Sequence, residues 1–108
     1  MAQDLSRAGP DEWRQALDAL DDAGARIRRD AGQTPMPEHD ALLARLTRRL
    51  RTLGDADVAA LADDFREACL RVLCSADPAA PLAALGLVQD TLRRLLQRHA
   101  LAGMPRAA

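Results

Sequence analysis

Four blocks of this chain repeat apolar residues at alternating intervals of three and four, and each block is bounded by proline or glycine. That period matches the α-helical turn of about 3.6 residues and leaves one apolar stripe along each helix. The first block opens at Pro10, where the missing N–H of proline costs nothing. Trp13, Ala16, Leu17, Leu20, Ala23 and Ile27 follow and predict a helix over 10–30. Gly32, Pro35 and Pro37 interrupt the pattern. Leu42, Leu43, Leu46, Leu50 and Leu53 then predict a second helix over 38–53, stopped by Gly54. Asp55 is a good N-cap, and Val58, Leu61, Ala62, Phe65, Ala68, Cys69, Val72 and Leu73 predict a third over 56–75. Beyond Asp77, Pro78 and Pro81, the residues Leu82, Leu85, Val88, Leu92, Leu95 and Leu96 predict a fourth over 79–101. Residues 1–9 read as a flexible lead-in. Residues 103–108, with Gly103 and Pro105, read as a disordered tail.

Composition closes the alternative. The chain has three valines, one isoleucine, one Trp, one Phe and no Tyr, whereas sheets draw on β-branched and aromatic residues. Ala, Leu, Arg and Glu all favour helix. At 108 residues the length suits one domain with one core. Short connections between helices of similar length predict an all-α, antiparallel up-down-up-down four-helix bundle. A dimer of helical hairpins would use the same pattern. No run of about 18 apolar residues occurs, and the start lacks a signal-peptide core, so a cytoplasmic protein without a membrane partner is expected.

All 15 basic residues are arginine, a usage that suggests a GC-rich bacterial genome. Arg26, Arg28 and Arg29, then Arg45, Arg48, Arg49 and Arg51, then Arg93, Arg94 and Arg98 form clusters that invite a nucleic-acid reading. Each cluster lies in the C-terminal half of its helix, while Asp11, Glu12, Glu38, Asp40, Asp55, Asp57 and Asp77 occupy N-terminal turns. Helix dipoles favour that polarity by a few tenths of a kcal/mol per charge, up to about 1. In the expected topology, the arginine-rich ends of helices two and four face Asp11, Glu12, Asp55 and Asp57. With a net charge of −1 and no aromatic residues between the arginines, a self-neutralised bundle is expected over a nucleic-acid surface.

Chemistry-bearing residues are sparse. His39 and His99 fall at opposite ends of the bundle, without zinc-type spacing, and read as surface or capping histidines. Asp63, Asp64 and Glu67 sit opposite the apolar stripe of helix three and read as a solvated face; no metal or cofactor is expected. Cys69 and Cys74 are rotated by roughly 140° on one helix and do not bridge. Cys69 lies on the core stripe, and Cys74 near the opposite face at a helix C-terminus, where the dipole opposes the thiolate. Gln89 is the one polar residue inside the stripe of helix four. It reads as a buried or stripe-edge amide bonded to a neighbouring helix, or as a polar group in a cleft. Gly24 and Gly86 read as sites of close helix approach.

Two functional expectations follow. Leu70 and Cys74 lie off the stripe of helix three, and Leu87 and Leu101 off that of helix four. As one patch they would bind another protein or a second copy in a homodimer, as a small bacterial adaptor, regulator or secretion-type chaperone does. The alternative is a small helical enzyme or ligand-binding protein in which Gln89 and arginines such as Arg45 or Arg93 line an interhelical cleft. No catalytic residue can be named for it.

Overall fold

The structure, a computed structural model, describes residues 8–102. It is built from four helices: α1 (Pro10–Arg29), α2 (Pro37–Thr52), α3 (Ala56–Cys74) and α4 (Ala79–Ala102). No strand occurs among the described residues. α1 packs against α4 and α2, and α3 packs against α4 and α2, so each helix has two principal neighbours. The four apolar stripes meet in one core, where Leu20, Ile27, Leu43, Leu50, Phe65, Leu85, Leu92 and Leu96 are sealed from solvent. Each such side chain contributes about 1.5–3 kcal/mol through burial.

The helix ends show how local sequence sets the boundaries. Pro10 occupies the first turn of α1, and the Gly9 N–H donates to Glu12 Oε1 at 3.2 Å. In α2 the corresponding role falls to a histidine: the Met36 N–H donates to His39 Nδ1 at 3.0 Å. Asp55 caps α3 by accepting from the Val58 N–H at 2.9 Å. Gly32 and Gly54 take φ values of 80° and 86°, where a Cβ would be strained, and so let the chain leave α1 and α2 sharply.

Contacts between helices set the register. Asp30 near the end of α1 meets His39 at the start of α2. Arg51 at the end of α2 bonds both oxygens of Asp63 at 2.7 Å, and Asp40 lies 3.7 Å from Arg66 of α3. His99 near the end of α4 reaches Asp55 at the start of α3 and stacks on Trp13 of α1. Opposite charges therefore do meet across the helices, but mostly through other partners than expected. Arg51 takes Asp63 in place of Asp55 or Asp57, and Asp11 pairs within α1 with Arg14.

Two expectations are corrected. Ala8 and Gly9 are not loose: the Trp13 indole donates to the Ala8 carbonyl at 3.2 Å, and Ala8 packs on the core. Residues 1–7 and the expected tail at 103–108, including Gly103 and Pro105, lie outside the described residues. Leu70 is not surplus surface. It is half-buried and packs against the core, because its edge of α3 faces α2 along the line of Asp63 and Arg66.

Candidate functional site

The seam between α3 and α4 carries an unfilled relief. Ala60, Leu61 and Ala68 of α3 oppose Pro81, Ala84, Val88 and Leu95 of α4. Alanine side chains at a helix seam are too short to interdigitate, so a trough opens along it. It comprises two shallow depressions, of about 230 Å³ and about 500 Å³, which share Asp64 as a lining residue. The α3 lip carries Asp57, Asp64 and the Glu67–Arg71 ion pair, and the α4 lip carries Arg94 and Arg98.

Leu87 lies just outside that α4 lip and lines neither depression. Its helical neighbours at three and four residues are Ala84 and Thr91, both of which line the trough. It is 74% exposed and Leu101 is 70% exposed, against near-complete burial of every leucine on the α4 core stripe proper. The four residues expected to form one patch are thus divided. Leu70 turns toward α2, and exposed Cys74 lines a separate hollow with Leu73 and the Gly32–Pro35 connection. Leu87 and Leu101 share one outward face of α4, separated by 14 positions, or about 21 Å along the axis.

Gln89 is buried, at 7% exposure, between α4 and α1. Its Nε2 donates to Asp21 Oδ1 at 3.3 Å, and Arg93 Nε donates to the same oxygen at 2.8 Å. Gly24 makes the room: a Cβ built there would lie 2.5 Å from Gln89 Oε1. Gln89 Oε1 itself has no hydrogen-bond partner. Arg93 is thus committed to Asp21, and Arg45 lies elsewhere, in a groove of α1 and α2 beside Asp22 and Arg49. The side chains named for an enzymatic cleft do not converge. Asp21 was the member that sequence reasoning missed; the signal was Gln89 and Arg93, four residues apart on one face of α4.

The histidines are structural in their contacts. His39 is buried at 2%, accepts from the Met36 N–H through Nδ1, and has Nε2 2.7 Å from Asp30 Oδ2. With both ring nitrogens engaged, it has no atom left to take a substrate proton. Its hydrogen bond, followed by that of Arg26, holds the Asp30 carboxyl below the usual aspartate value. His99 Nε2 lies 2.8 Å from Asp55 Oδ2, and its ring stacks on Trp13 with centroids 4.1 Å apart and planes at 10°. The Val58 N–H, and next His99, hold Asp55 low against the opposing effect of burial.

Cys69 is buried, and desolvation pushes its thiol up to about 12, leaving it protonated and inert. Among the described residues no group of three or more His, Cys, Asp or Glu side chains is placed to hold a metal ion. Among those residues, too, no helix is long and apolar enough to cross a membrane. The chain matches no protein-family model, no curated protein and no solved structure.

Proposed function

We propose that this chain is a protein–protein interaction module that receives an amphipathic helix of its partner in the trough between α3 and α4. The observation that carries the reading is Leu87, 74% exposed beside a trough floored by alanine, valine and leucine. A helix laid there would bury Leu87 and the half-buried Leu61, Val88 and Leu95 together, the arrangement by which helix-in-groove complexes gain affinity. The lips also set an orientation. Basic side chains of the partner would face Asp57 and Asp64, and acidic ones Arg98.

The wider reading is an adaptor, regulator or secretion-type chaperone in a bacterial cytosol. The unpaired thiols Cys69 and Cys74 support a reducing compartment. The pairing of Asp30 with His39 and of Asp55 with His99 supports an antiparallel up-down-up-down order of the helices.

The test is selection of helical peptides from a display library, followed by calorimetry. Selected peptides bind wild type and lose at least about tenfold on Ala84→Arg, which fills the trough, and on Leu87→Asp, which charges the surface beside it. Ala41→Arg, on the exposed side of α2, leaves their affinity unchanged. Peptides indifferent to Ala84→Arg, or none recovered, refute the proposal.

A further inference from the structure

The outward face of α4 carries a second pattern that the core does not use. Ala83, Leu87, Asp90, Arg94, Gln97 and Leu101 are spaced four, three, four, three and four, and all are exposed. These are the a/d spacings of a coiled-coil seam, turned away from the bundle, with apolar residues at 83, 87 and 101 and polar ones at 90, 94 and 97. Its centre is an ion pair, Arg94 Nη2 to Asp90 Oδ2 at 2.9 Å, with side chains 74% and 54% exposed. An exposed pair of that kind adds little to the stability of one chain. Leucines stand at 87 and 101, on either side of it, with alanine at 83.

We infer that this face docks on the same face of a second copy, with the two α4 helices antiparallel. The charges choose the occupant and the direction. A parallel pair would set Asp90 against Asp90 and Arg94 against Arg94 of the partner subunit, which like-charge repulsion opposes. An antiparallel pair in which a positions meet d positions sets Asp90 against Arg94 of the partner subunit, and the reverse, so two complementary layers lie at the centre. The same register sets Leu101 against Ala83 and Leu87 against Gln97 of the partner subunit. Overlap from 83 to 101 extends about 27 Å at 1.5 Å per residue. A two-fold axis through the middle closes the assembly at two copies. One helix face is smaller than the roughly 800 Å² per partner of a standard interface, so the dimer is weak. The inference does not rest on occupancy of the α3–α4 trough.

Sedimentation equilibrium of the full chain tests it, up to the roughly millimolar concentrations at which so small a contact associates. Wild type shifts from monomer toward dimer. Asp90→Arg alone and Arg94→Asp alone each place like charges at the centre and weaken association by about tenfold or more. An equimolar mixture of those two variants restores dimers of one copy of each. Leu101→Asp also weakens association, whereas Ala60→Arg, on the α3 side of the trough and off the α4 seam, does not. Circular dichroism confirms that each variant is helical, as expected for exposed positions. Three results overturn the inference: a wild type that stays monomeric, a mixture that associates no better than its components, or a dimer lost on Ala60→Arg. Retained peptide binding alongside any of them would leave the trough proposal standing.

Discussion

Gly24→Ala and Gly86→Ala make the same chemical change in two helices, with opposite surroundings. Glycine inside a helix costs about 0.8–1.0 kcal/mol relative to alanine, through backbone entropy. At Gly86 no heavy atom lies within 4 Å of the new Cβ, so the whole gain of about 0.8–1.0 kcal/mol is expected as added stability. At Gly24 the Cβ would lie 2.5 Å from Gln89 Oε1, 2.6 Å from Nε2 and 2.8 Å from Cδ. The amide must leave a site where it is 7% exposed and gives up its hydrogen bond to Asp21. Overpacking of this kind costs about 1–3 kcal/mol, and a hydrogen bond to a charged acceptor about 1.5 at its weaker end. Some of that returns when Oε1, unpartnered in place, reaches water. Against the helix gain, a net loss of about 1–2 kcal/mol is expected, roughly 4–8 °C in Tm per kcal/mol for a domain of this size.

Urea unfolding followed by circular dichroism measures both variants at a common m-value. The decisive comparison is the double-mutant cycle with Gln89→Ala, which removes the obstructing amide. In that background Gly24→Ala becomes stabilising by about the same 0.8–1.0 kcal/mol seen at Gly86. If Gly24→Ala stabilises the wild type as much as Gly86→Ala does, the amide is not held against Gly24. The account of that interface then fails.

Three further outcomes are expected. Asp30 and Asp55 both have lowered values in the folded chain, so their contribution is fully present above the ordinary aspartate value of 3.8 and is lost as pH falls through the folded values. Asp30→Asn and Asp55→Asn should flatten the acid limb of stability below about pH 4, measured by urea unfolding across pH; an unchanged limb would sink the assignment. A thiol reagent at neutral pH should label Cys74 quickly and leave Cys69 unlabelled until the chain unfolds, whereas two fast thiols would contradict the burial of Cys69. Leu43→Ala, at a position with no exposure, should cost about 2–5 kcal/mol, and Leu87→Ala less than about 0.5, by thermal or urea unfolding.

Much of the fold class is written in local sequence. Pro10, Gly32 and Gly54 act within one turn of themselves, and Asp55 bonds an N–H three residues away, so their effects need no knowledge of the rest of the chain. The three-and-four spacing likewise names the core leucines, because a stripe is a property of one helix. The positions of Cys69 inside and Cys74 outside follow from that stripe alone.

Other features depend on where a neighbouring helix lies, and no single helix encodes that. Leu70 sits well off the stripe of α3, yet it is half-buried because α2 lies along that edge. Cys74 and Leu87 are both exposed but in different settings, since Cys74 lines a hollow with the α1–α2 connection whereas Leu87 stands on α4 beside Ala84 of the α3–α4 trough. Gln89 is an amide in an apolar stripe; only the juxtaposition of Asp21 and Gly24 makes it a buried polar contact. The trough itself arises from alanines that two helices happen to place face to face. Periodicity determined that this chain would be helices with one apolar side. Packing decided which side chains left over from that pattern are covered and which, Leu87 and Leu101 above all, remain in water.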